Sequence, residues 1–198
     1  MPTSKYYVTF GGATIDTTVT DRGATASTWV REVTALHGGS PAVVGLDVEW
    51  RPHHVSYMSN KSATLQLCID KKCLILQLFY LDEIPNPLKS FLMNPNFTFV
   101  GVEVDQDVAK LRDEYGLGCA RSMDIRAEIM ARRSYLFWKP RPGLKDLARV
   151  VCGLRMEKPI HVCRSDWQAR VLSEEQVEYA CIDAFASYKI GQKIIFQN

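Results

Sequence analysis

Apolar positions come in short runs through the first half of the chain and at helical spacing through the second. Tyr6 to Phe10 and Ile15 to Thr20 predict a β-hairpin around Gly11-Gly12. Trp29, Val30, Val33 and Leu36 share a helix face, with Ser27 or Thr25 as its cap and Gly38-Gly39 as its stop. Val43 to Trp50 is hydrophobic on both faces and reads as a central strand. Thr64 to Ile69 and Cys73 to Leu78 predict a second hairpin, whose turn at Asp70-Lys71-Lys72 brings Cys68 and Cys73 close. Pro85 and Pro87 lead into a short helix from Leu88 to Met93, and Phe97 to Val102 is another buried strand. Helices are expected over Asp107–Tyr115, Ile125–Arg133, Leu144–Cys152 and Ser173–Ile194. The last opens on the reciprocal capping pattern Ser173-Glu174-Glu175-Gln176. Trp138 to Gly143 reads as a flexible loop. Strands first and helices after predict an α/β or α+β fold with a mixed sheet.

Composition narrows this to one globular domain over residues 1–198, with a core of about 6–195. No apolar run approaches the ~20 residues that span a bilayer. The first nine residues lack the pattern of a secretory signal, so an intracellular protein of nucleus or cytoplasm is expected, with no membrane partner. The net charge of +2 does not by itself imply a nucleic-acid partner. No Cys-x-x-Cys pair occurs among the six cysteines, and reduced, mostly buried thiols are expected.

The chemistry begins at Asp47 and Glu49. Two apart on a strand, they point to one face, where paired carboxylates repel and lose hydration. A divalent cation compensates them; a strand end open to solvent is the alternative. Asp107 follows the next buried strand at the opening of a helix, where an acid also serves as an ordinary cap. Tyr179 and Asp183 share a face of the apolar last helix. There an aspartate needs a partner or a metal, unless it joins a solvated stripe with Glu178 and Lys189.

This ordered set resembles the DEDDy branch of the 3′–5′ exonuclease superfamily. Asp-x-Glu lies on a strand, an Asp after the next strand, and Tyr-x-x-x-Asp on a late helix. Closer features resemble Werner-type exonuclease domains and, less closely, ribonuclease D. They are Gly45-Leu46-Asp47-Val48-Glu49-Trp50, Val100-Gly101-Val102 with Lys110-Leu111, Gly143-Leu144, Lys158, Arg164-Ser165-Asp166-Trp167 and Gln176-x-x-Tyr179. The second motif holds both Asp105 and Asp107, and counting from Gly101 and from Lys110 selects Asp107.

The resemblance implies a ribonuclease H-like mixed sheet flanked by helices, and hydrolysis of phosphodiesters from a 3′ end. It implies two Mg²⁺ or Mn²⁺ ions. Asp47 would bridge both; Glu49 and Asp183 would complete the first site, and Asp107 would support the second. Tyr179, with an ordinary phenol pKa of about 10, would position the attacking water. DNA is the expected substrate and RNA the alternative. A non-catalytic binding module of the same fold is the competing class, and any helicase partner is expected to be a separate protein.

Substrate contacts are expected from Trp50, Lys110, Leu144 and Arg164. Trp138 stacking on a base, beside Arg132-Arg133 and Lys139 to Arg141, is weighed against a solvated loop with one anchoring ring. Lys158 and Arg164 are candidates to touch phosphate, with surface charge in a loop as the default reading; His53 and His54 are read as surface residues rather than ligands. Trp167 is expected in the core. Oligomeric state has no signal in the sequence.

Overall fold

The computed structural model describes residues 3–37, 39–52 and 60–196. Gly38, His53 and His54 lie outside them. The strands are β1 (Ser4–Phe10), β2 (Ala13–Thr20), β3 (Ala42–Trp50), β4 (Ser62–Ile69), β5 (Lys72–Leu76), β6 (Phe97–Gly101) and β7 (Ser122–Asp124). They form one mixed sheet in the order β1-β2-β5-β4-β3-β6-β7. β3 is interior, antiparallel to β4 and parallel to β6, and β6 is parallel to β7. The C-terminal ends of β3, β6 and β7 therefore open at one edge, where α/β sheets generally place their sites.

The helices are α1 (Gly23–His37), α2 (Asn86–Leu92), α3 (Val104–Tyr115), α4 (Ile125–Arg133), α5 (Leu144–Leu147), α6 (Ile160–Cys163) and α7 (Glu174–Phe196). One face of the sheet carries α1 and α2: Phe91 of α2 packs on Trp29, Phe97 and Phe99. Long α7 lies across the other face, chiefly on β3 and β4. A Cβ at Gly45 would collide with the Ala184 carbonyl and lie 2.7 Å from the Tyr188 amide nitrogen. One at Gly191 would meet Val43 and Val100 at 2.9 and 2.6 Å. These glycines let α7 settle against the strands. Pleating sends Asp47 and Glu49 to the same side as Gly45, the α7 side.

Several boundaries move. α1 begins at Gly23, because the distant Asp82 carboxylate accepts its amide at 2.8 Å; Thr25 and Ser27 lie inside the helix, and Ser27 Oγ bonds back to Gly23 O. β5 stops at Leu76, since Leu78–Tyr80 turns into a short 3-10 helix. The segment from Leu144 is α-helical only to Leu147 and widens into a π turn over Ala148–Cys152. Ser173 and Gln176 do form the reciprocal cap, at 2.9 and 3.2 Å. Cys68 faces Cys73 in register, both buried, whereas Cys163 is exposed and Cys119 and Cys152 are half-buried. Trp167 is buried at the foot of α7. No helix among the described residues is long and apolar enough to cross a membrane.

Candidate active site

Asp47 and Glu49 come from β3 and Asp183 from α7, and their close packing brings the three acids together. Each offers a carboxylate oxygen, and these oxygens lie within 4.8 Å of one another. Burial first, then the charges of Asp183 and Asp107, pushes the Asp47 carboxyl well above its usual range. Burial and then Asp47 and Asp183 do the same for Glu49. Burial also raises Asp183, against the pull of Lys158.

Asp107 stands outside this trio, in the first turn of α3. The helix starts at Val104, so Asp107 is not a cap; the capping position is held by Glu103 in a left-handed conformation. Burial lifts Asp107 to about 7, opposed by Lys110. Asp105, by contrast, is exposed and accepts a bond from Ser122 at 2.7 Å.

Tyr179 sits one turn before Asp183, its ring 5.9 Å from that of Trp167. Its pKa does not stay ordinary: burial, then the charge of Asp183, pushes it strongly upward. The phenol stays protonated at neutral pH.

Lys158 is the residue that sequence reasoning misplaced as a surface charge. Its Nζ is 2.5 Å from Asp183 Oδ2 and 5.1 Å from the Tyr179 ring centre. Burial alone would depress its ammonium, but Asp183 and Asp47 outweigh that and raise its pKa. Its place in the matched motif was the signal; no local pattern tied it to Asp183. Gln66 and Thr64 were also missed. They face Asp47 and Glu49 across the β3–β4 ladder, and Gln66 Nε2 bonds Thr64 Oγ1 at 2.7 Å.

The remaining candidates spread outward. Trp50 is 37% exposed at the end of β3, with Lys110 Nζ 4.5 Å above its ring. Lys110 also bonds the Asn60 carbonyl and pairs with Glu114. Leu144 is buried in the core at the start of α5. Arg164 is exposed after α6, and Trp138 is exposed on the loop before α5.

Asp47 Oδ2 is buried and makes no hydrogen bond. An orphaned carboxylate oxygen within an all-oxygen trio matches what a hard divalent cation requires. The acidic cluster can hold a metal ion.

Known proteins resemble this chain in sequence and in fold. The sequence profile of 3′–5′ exonucleases matches residues 18–195. A 3′–5′ exonuclease of Arabidopsis thaliana is 29% identical over 151 residues, which cover 75% of this chain and 51% of that protein. The chain thus spans about half the length of that relative. Escherichia coli RNase D, an exoribonuclease involved in structured RNA processing, shares the fold at a TM-score of 0.71 and 21% identity, over 89% of this chain and 44% of that one. The EXD2 exonuclease domain soaked in Mn and Mg aligns at a TM-score of 0.51 and 25% identity, over 89% and 88%. With the profile spanning all but the first 17 residues and the extreme C-terminus, the chain belongs to the 3′–5′ exonuclease family.

Proposed function

We propose that this chain is a metal-dependent 3′–5′ exonuclease that releases nucleoside monophosphates from the 3′ end of DNA, with RNA as the alternative substrate. The observation that carries the reading is the trio Asp47, Glu49 and Asp183 together with the unpartnered carboxylate oxygen of Asp47. Asp47, Glu49, Asp183 and Asp107 would hold two Mg²⁺ or Mn²⁺ ions. The soaks of EXD2 in Mn and Mg favour the same ions here. Bound there, the ions would supply Lewis-acid stabilisation of the phosphate and acidify the attacking water.

The chain's own groups do the rest. Tyr179, kept protonated, holds the attacking water by hydrogen bonding and does not act as a base. Lys158 offsets part of the negative charge and competes with a bound cation for Asp183. The exposed Trp50 ring walls the terminal nucleotide, with Lys110 over it. Arg164 and Trp138 meet the strand farther out, and Leu144 shapes the pocket only from within the core. A helicase is the expected kind of partner where a duplex must be opened.

End-labelled DNA and matched RNA, incubated with Mg²⁺ or Mn²⁺, test this reading. Stepwise shortening of one polymer over the other assigns the substrate. Retained binding without shortening would instead assign a non-catalytic module.

A further inference from the structure

Two of the most exposed large side chains in the structure lie three residues apart: Tyr135 is 81% exposed and Trp138 is 83% exposed. Leu136 between them is 44% exposed. Placing such rings in water is unfavourable, and an apolar cluster of this kind usually marks a contact surface. The charge around them is lopsided. Residues 126–149 contain seven basic residues and two acidic ones, while the whole chain has a net charge of only +2. Lys139 Nζ lies 4.8 Å from the Trp138 ring centre, so a cation and a ring are presented together.

The segment is fastened beside the acidic site. Glu103 Oε1 accepts from Arg126 at 2.6 Å and from Arg141 at 2.9 Å, so it clamps both sides of the aromatic stretch. The Glu103 amide in turn donates to Asp124 Oδ2 at 2.9 Å, and Asp124 caps α4. Glu103 immediately precedes α3, and its charge is felt by Asp107. Glu103 follows the C-terminal end of β6, Asp124 is the last residue of β7, and α4 follows it directly. Both strands are parallel to β3, whose end carries Asp47 and Glu49. The aromatic segment is therefore anchored at the rim of the sheet edge where the acids converge.

We propose that Tyr135 and Trp138 form a stacking platform for single-stranded nucleic acid running away from the acidic site, with Arg132, Arg133 and Lys139 drawn to its phosphates. Every base has a π-face, so such a platform is indifferent to sequence and suits a strand that is shortened one nucleotide at a time. A protein ligand would use the apolar surface but has no need of the surrounding cations; a polyanion with stacked rings uses both.

This inference rests on the exonuclease reading, and its test keeps the two separable. Binding of a short single-stranded oligonucleotide is measured by fluorescence anisotropy in chelator, where no cleavage intervenes. It is compared between wild type and the Tyr135→Ala/Trp138→Ala variant, and between a normal oligonucleotide and one whose internal nucleotides lack bases. Both rings are exposed, so truncating them leaves the core intact. The expected result is an affinity for the normal oligonucleotide about fivefold or more lower in the variant. The base-free oligonucleotide should bind wild type about as weakly as the variant binds the normal one. Equal affinity of the two proteins, or equal affinity of wild type for the two oligonucleotides, overturns the platform. A wild type that binds neither oligonucleotide also overturns it. Hydrolysis of the p-nitrophenyl ester of thymidine 5′-monophosphate by the wild type with Mn²⁺ reads the exonuclease site by itself. Its failure counts against the parent reading and leaves the binding comparison intact.

Discussion

Lys158 and Asp183 are distant in sequence, yet their side chains make the closest ion pair at the site, at 2.5 Å. Asp47 with Glu49 and Tyr179 with Asp183 could be picked out from the sequence because each pair carries a spacing with physical meaning, two apart on a strand and four apart on a helix; Asp107 was selected by the motif it shares with Gly101 and Lys110. Lys158 has no such spacing. It reaches the acids only because the connection between Cys152 and α6 folds back under α7, and loop paths are not written in periodicity. Its role has a measurable consequence. In chelator, Lys158→Met leaves the buried Asp183 without its partner. Thermal unfolding should fall by about 2–4 °C for each ~1 kcal/mol lost in a domain of this size. Saturating Mn²⁺ should then raise the melting temperature more in the variant than in wild type. A metal-induced shift no larger than in wild type contradicts competition between Lys158 and the cation.

The acids also predict a pH dependence. Burial lifts Asp107 to about 7 and pushes Asp47, Glu49 and Asp183 upward, whereas in the unfolded chain such acids ionise near pH 4. Between those limits the folded, chelated protein retains protons that the unfolded chain has released. For Asp107 this contribution is fully present below about pH 4 and is lost as pH rises through about 7, and the other three acids act in the same direction. Denaturant midpoints in chelator should therefore decline from mildly acidic to mildly basic pH. A flat or rising profile contradicts the buried acids. Saturating metal should remove the decline, because metal binding favours the ionised carboxylates.

At the scale of elements, the site depends on how closely α7 approaches β3. Gly45 sets that distance, since any side chain there would strike the Ala184 carbonyl. Gly45→Ala should push α7 from the strand, destabilising the protein by about 1–3 kcal/mol and separating Asp183 from Asp47. Calorimetry with Mn²⁺ should show weakened binding; a variant that keeps wild-type metal affinity contradicts this positioning role. The interior strand and long α7 were readable because their patterns are sustained. The boundaries that failed were decided by tertiary partners. Asp82 extends α1 backward to Gly23, and three-residue β7 is too short for any alternation to show. The π turn after Leu147 carries the same apolar spacing as an ordinary helix and is invisible to it.

Across the whole molecule, the mixed sheet opens the C-terminal ends of β3, β6 and β7 at one edge, so acids from β3, α3 and α7 and the basic aromatic segment gather there. The fold class followed from the order of strands and helices. The strand order did not, because the parallel pairing of β2 with β5 and of β3 with β6 joins segments far apart in the chain. The central claim is that the Asp47 cluster hydrolyses a strand from its 3′ end. It is tested most directly by a time course with Mg²⁺ on one single strand labelled at either its 5′ or its 3′ end, using wild type and Asp47→Ala. The account predicts a descending ladder from the 5′ label, immediate release of a labelled mononucleotide from the 3′ label, and neither with Asp47→Ala. Internal fragments from the outset, or a ladder that survives Asp47→Ala, would contradict it.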